Sequence, residues 1–174
     1  MSDHDSAGAA WQVPPSQYLE GRPPSHVLPL APISSHVNMR DGCRLAVDVY
    51  VPQGWAAGPF ATIVVFTPYN RRFKQERTGA EPSPNAAKYR DFFVPRGYVL
   101  VVVDVRGTGA SFGTRETLRS PKEREDSREI ADWIVAQSWS NGVIGSTGVS
   151  YLGAAACFLA STGHPAVKAI APLF

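Results

Sequence analysis

Two unbroken apolar runs limit the architectures open to this 174-residue chain. Ala61-Thr62-Ile63-Val64-Val65-Phe66 lacks the polar alternation of a half-exposed strand and suits one covered on both faces. Tyr98-Val99-Leu100-Val101-Val102-Val103, ending in Asp104, is the most strand-like stretch of all. Asn85 to Val94 predicts a short helix between them, closed by Pro95 and Gly97. Pro121 to Ser138 predicts a longer helix, with Pro121 suited to its first turn and Ile130, Trp133, Ile134 and Gln137 at helical spacing. Val167 to Pro172 reads as a further parallel strand. Strands alternating with helices predict an α/β fold: a mostly parallel sheet with helices on both faces.

The front of the chain is built differently. Val37 to Arg40 and Leu45 to Val51 flank Asp41-Gly42, a hairpin signal, so an antiparallel hairpin opens the sheet. Residues 1–33 carry Pro14-Pro15, Pro23-Pro24, Pro29 and Pro32, which forbid a continuous helix. They read as an extended Pro-rich arm, with Trp11, Tyr18 and Leu19 available to pack on the surface; residues 34–174 read as the folded unit. Pro52 to Pro59 reads as a turn and Arg71 to Pro84 as a polar loop.

Composition excludes several classes. A net charge of +2 with interspersed signs gives no nucleic-acid footprint. The basic clusters Arg71-Arg72 with Lys74, and Lys122 to Arg128, read as solvated faces. Cys43 and Cys157 show no metal spacing, so neither metal nor cofactor is expected. The acidic N-terminus lacks a signal-type apolar core, and no apolar run nears the roughly 20 residues of a membrane span. A cytoplasmic protein without a membrane or nucleic-acid partner is the default expectation.

Chemistry concentrates in Gly148-Val149-Ser150-Tyr151-Leu152-Gly153. A strand-like approach, Val143 to Gly148, delivers Ser150 to the mouth of an apolar helix, Tyr151 to Ala160. That is the layout of a nucleophile elbow, in which glycines relieve a strained strand-to-helix turn and the helix N-terminus faces a developing oxyanion. It points to a serine hydrolase of the α/β type. The usual pattern is G-x-S-x-G, whereas here the glycine falls one residue later, at Gly153. A serine that merely caps the helix is the alternative, and the hexapeptide alone leaves both open.

Two other motifs need weighing. Gly107-Thr108-Gly109 after a strand invites a dinucleotide site, yet the spacing to Gly113 is one residue too long and Thr114 to Ser120 is polar. A local ion pair between Asp104 and Arg106, shaping a tight loop, is the better account. Tyr69 follows the Ile63–Phe66 strand by three residues, where such folds place an oxyanion donor. Taken alone, a loop-packing tyrosine is the simpler reading.

Further motifs stand in series: Met39-Arg40-Asp41-Gly42-x-Arg44-Leu45-Ala46-x-Asp48-Val49-Tyr50, Thr67-Pro68-Tyr69, and Gly97-Tyr98-Val99-x-Val101 leading to Asp104-Val105-Arg106-Gly107-Thr108-Gly109-x-Ser111-x-Gly113. Asp126 to Trp133, Gln137-Ser138-Trp139-Ser140-Asn141-Gly142 and the elbow follow. In this order, over roughly residues 36 to 172, the chain resembles the N-terminal part of the X-prolyl dipeptidyl-peptidase and cocaine-esterase-like serine hydrolases. That family's elbow reads S-Y-x-G, which accommodates Leu152. The resemblance implies Ser150 as nucleophile, with the Tyr69 hydroxyl and the Tyr151 backbone N–H forming the oxyanion hole.

A serine needs a base held by a carboxylate, in the chain order Ser, Asp or Glu, His. After Ser150 there is no Asp or Glu, and the one downstream His, His164, reads as a helix C-terminal residue. His4, His26 and His36 precede the core; His36 reads as structural, and nothing in the strand order sets it with Asp104 above Ser150. The resemblance places acid and base after a helical cap insertion, followed by a jelly-roll domain. The expectation is therefore an incomplete α/β-hydrolase fold: a truncated product, a fragment or one part of a split protein, nearly inert alone. Its substrate class stays open among acyl esters, amides and X-Pro peptides, and its bare sheet edge is a candidate surface for self-association or a complementing chain.

Overall fold

The computed structural model describes residues 13–53, 58–72 and 84–174. Trp11, Lys74, the centre of the Pro52–Pro59 turn and most of the Arg71–Pro84 loop lie outside them. The described elements are α1 (Pro15–Glu20), β1 (Ile33–Asn38), β2 (Arg44–Tyr50), β3 (Phe60–Thr67), α2 (Pro84–Phe93), β4 (Tyr98–Asp104), α3 (Pro121–Val135), β5 (Ser140–Val149), α4 (Tyr151–Ser161) and β6 (Val167–Leu173). A short 3-10 turn, Val94–Arg96, joins α2 to β4.

The six strands form one sheet in the order β1-β2-β4-β3-β5-β6. The hairpin contributes antiparallel pairing of β1 with β2 and of β2 with β4; β4, β3, β5 and β6 run parallel. The expected α/β architecture therefore holds. Val99 to Val103 are completely shut from water, as continuous apolar runs require of a central strand.

Crossover handedness assigns the faces. The step from β3 to β4 runs toward β1, whereas β4 to β5 and β5 to β6 run toward the opposite edge. Right-handed crossovers then put α2 on one face and α3 with α4 on the other. The residues leaving β3 and those leaving its parallel neighbour β5 consequently head to opposite faces. A crevice opens between such strand ends, the usual ligand position in open α/β sheets. Tyr69 follows β3 and Ser150 follows β5.

Four expectations are corrected. Pro15–Glu20 is helical within the arm read as extended, because Pro15 pre-sets the first-turn φ where no N–H bond is needed. Helix α3 stops at Val135, before Ser138: the chain turns back so that Trp139 is buried, its ring 6.0 Å from that of Trp133. Strand β5 begins at Ser140, ahead of the Val143 start expected, with Asn141-Gly142 as a bulge inside it. There Phe60 pairs with Ser140 and Thr62 already with Ile144, while Gly142 takes φ 80°. The basic residues of α3 are not simply solvated: Arg124 donates to the Ser161 carbonyl and Arg128 to that of Thr162 at 3.1 Å, satisfying the open end of α4.

Candidate active site

Ser150 joins β5 to α4 with φ 58° and ψ −120°, a conformation L-residues rarely adopt. Two glycines make the turn sterically feasible. A Cβ on Gly148 would stand 2.2 Å from Leu152 Cβ and 2.6 Å from its carbonyl carbon. One on Gly153 would stand 2.7 Å from the Leu173 carbonyl oxygen and 2.8 Å from that of Gly148. The displaced glycine thus marks where the first turn of α4 meets the end of β6. The Ser150 side chain forms no capping bond, which separates it from an ordinary N-cap serine, and the residue is exposed. Its own N–H donates to the Leu173 carbonyl at 2.9 Å. The next amide, at Tyr151, begins the helix and has no intrahelical acceptor, so it points outward at the positive helix end.

The Tyr151 ring is buried beneath the elbow. Its hydroxyl donates in a short bond to Glu123, and Arg115 lies 4.8 Å above the ring while donating to the same Glu123 at 3.1 Å. Burial first, then the hydrogen bond and charge of Glu123, push the Tyr151 phenol well above its ordinary range. The phenol is thereby a structural donor, tied into the buried layer beneath the elbow. Glu123 and Arg115 escaped the sequence reading; the one local signal was Ser120, three residues before Glu123, whose side chain caps α3 by accepting the Glu123 N–H.

Tyr69 is 52% exposed, and its ring meets that of Tyr151 edge-to-face at 6.4 Å. The structure therefore brings all three candidates, Ser150, Tyr69 and Tyr151, to one end of the sheet. Among the described residues it does not bring a histidine there. His164 is buried at the far end of α4, whose 11 residues span about 16 Å. Its Nδ1 accepts the Ala166 N–H at 3.1 Å, which leaves Nε2 to donate to Asp132 at 3.0 Å. His164 stands just past the C-terminus of α4, as expected, and fixes the loop to β6. His36 bonds the Ala110 carbonyl from β1, four strand positions from β5 and so about 19 Å away.

The expected Asp104–Arg106 pair is absent, and both residues serve distant partners instead. Arg106 forms two bonds to Asp126, at 2.6 and 2.9 Å, and reaches Asp41 at 2.6 Å, tying the β1–β2 turn to α3. Asp104 holds the backbone N–H and guanidinium of Arg71, and Arg71 also pairs with Asp48 at 3.0 Å. Arg71 is accordingly a half-buried counter-ion to two buried carboxylates and not part of a solvated face. Among the described residues no cluster of three His, Cys, Asp or Glu side chains could hold a metal ion, and no helix is long and apolar enough to cross a membrane.

Comparison with known proteins agrees with this geometry. A family model described as X-Pro dipeptidyl-peptidase (S15 family) matches residues 41–174. A Mycobacterium bovis relative named for serine-esterase activity is 43% identical over 150 residues, covering 81% of this chain and 24% of its own length. The cocaine esterase of a Rhodococcus species is 38% identical over 136 residues, 78% of this chain and 22% of that protein. A CocE/NonD family hydrolase from Staphylococcus aureus superposes with a TM-score of 0.66 at 31% identity, covering 80% of this chain and 26% of its own. The chain spans about a quarter of the length of these relatives. With its elbow, its sheet order and these matches, the chain belongs to the X-Pro dipeptidyl-peptidase (S15) family of hydrolases.

Proposed function

We propose that Ser150 is the nucleophile of an acyl-transfer site acting on acyl esters, amides or X-Pro peptides, with the Tyr151 N–H and the Tyr69 hydroxyl as oxyanion donors. The observation that carries the reading is the left-handed backbone of Ser150 at the head of α4, with its hydroxyl free of the helix cap. In the reaction the hydroxyl oxygen attacks the carbonyl carbon and its proton passes to a base. The carbonyl oxygen becomes an oxyanion between the two donors, and collapse expels alcohol or amine, leaving an acyl-serine that water hydrolyses. Residues 151–174 contain no Asp or Glu, and His164 is committed to Asp132. This reading therefore takes its base and carboxylate from outside the described residues.

Oxyanion sites deprived of a base retain roughly 10³-fold catalysis over water. A fluorophosphonate should accordingly label Ser150 faster in the folded chain than in urea, as located by peptide mass spectrometry, and Ser150→Ala should abolish the label. p-Nitrophenyl acetate turnover should stay slow. Labelling no faster than in the unfolded chain, or centred on another residue, overturns the reading. Fast turnover lost in Ser150→Ala would put the base inside this chain.

The exposed outer side of β6 favours a second reading, in which a separate polypeptide or a second copy completes this chain. Size-exclusion chromatography decides it, since a monomer that melts cooperatively counts against it.

A further inference from the structure

We propose that Arg71 is the positioning residue of the oxyanion site, anchoring the Tyr69 loop at the elbow through two carboxylates buried in the sheet; the proposal rests on Tyr69 being an oxyanion donor. A preorganised donor must be held to within about 0.5 Å, and the half-exposed Tyr69 ring, which meets Tyr151 edge-to-face, is not firmly held by burial. Its backbone is. Thr67 Oγ1 accepts the Tyr69 N–H at 3.0 Å, Asn70 turns the chain with φ 65°, and the Arg71 N–H donates to Asp104 Oδ1 at 2.6 Å. The Arg71 guanidinium then bridges Asp104, on β4, and Asp48, on β2. Both carboxylates are shut from water, at 1% and 0% exposure.

Charge burial makes this anchor stiff. Withdrawing the partner of a buried charge is strongly unfavourable, so the loop cannot lift without stranding carboxylates that sit on rigid strands. Arg72 adds a contact to Asp48 at 3.0 Å from a more exposed position, and Ser34 donates to the same carboxylate at 2.5 Å. The glycine-rich loop is shaped around the anchor as well. A Cβ on Gly109 would lie 2.2 Å from Asp104 Oδ2, and that oxygen accepts the Ala110 N–H at 3.0 Å. Gly107-Thr108-Gly109 therefore makes room for a carboxylate rather than for a phosphate. Only a forked guanidinium spans both aspartates; a lysine ammonium reaches one.

The test places 3-fluorotyrosine at position 69 of the full chain and reads its fluorine resonance, beside fluorophosphonate labelling of Ser150. The unsubstituted anchor should give one narrow line. Arg71→Ala should shift and average it toward free fluorotyrosine, and added methylguanidinium should restore it. Tyr69→Phe should slow Ser150 labelling by about tenfold or more. Arg71→Ala should slow it equally, with no further loss in the double variant, because Arg71 acts through Tyr69. A merely structural arginine would add its own loss to that of Tyr69→Phe, and that additivity overturns the proposal. A fluorine line unmoved in Arg71→Ala overturns it too. Labelling untouched by Tyr69→Phe sinks the donor reading and with it Arg71's role, while the fluorine line reports the anchor separately. Should Arg71→Ala fail to fold, Arg71→Lys carries the same comparison, since it keeps the charge without the fork.

Discussion

Along β4, Val99 to Val103 are wholly buried, with β2 and β3 on either side; along β6, Lys168 to Ala171 are all exposed. The buried half is held by side chains: a continuous apolar core plus long-range ion pairs through Arg71 and Arg106. The β6 flank is held chiefly by its backbone ladder to β5 and by the close approach of α4 at Gly153. The elbow sits on the seam between the two. One wall of the crevice, carrying Tyr69, is anchored in the closed half, and the other, carrying Ser150, leans on the open one.

The largest effect should come from the seam itself. Gly148→Ala drives a Cβ into the Leu152 backbone and should destabilise the chain by more than about 3 kcal/mol in urea unfolding. A mild loss would mean that the elbow is softer than the closed half. Next comes Arg106→Ala, which strips the buried Asp126 of two bonds while leaving it Arg40, at an expected loss of about 2–3 kcal/mol. Its penalty should also depend on acidity. The hydrogen bond from Arg106 holds Asp41 at about 2, below its ordinary 3.8. A carboxylate depressed on folding stabilises above its unfolded value and loses that contribution as pH falls through the folded one. The gap between parent and Arg106→Ala should thus narrow between about pH 4 and pH 2, by no more than about 1 kcal/mol because Asp41 is partly exposed and screened. The smallest effect belongs to the open flank. Ile170→Lys should leave the unfolding free energy in urea within about 0.5 kcal/mol of the parent. A large loss would show that β6 is packed more tightly than its exposure indicates.

What the residue order discloses tracks the range of the interaction. The strands of the closed half are legible because uninterrupted apolar runs have few other fates. The elbow is legible because Gly148 and Gly153 answer contacts within a few residues and with the strand that follows. Tyr69 is different: its neighbourhood reads as an ordinary loop, and only the family resemblance singles it out. Ion partners are the least legible. Asp104 and Arg106 look like a pair because only Val105 separates them, yet β4 ends at Asp104 and the chain has already turned out of the strand at Arg106. Their true partners, Arg71 and Asp126, are 33 and 20 residues away. His164 likewise takes its role from Asp132, 32 residues upstream, which no local pattern announces.

The bond from the Ser150 amide to the Leu173 carbonyl has a mechanical consequence. It spends that amide on a latch to β6, so of these two amides only that of Tyr151 is left for the proposed oxyanion. It also makes the outermost strand a lever on the proposed nucleophile: a load that draws the end of β6 outward reaches the Ser150 backbone directly, as well as through the ladder that pairs Val149 with Leu173.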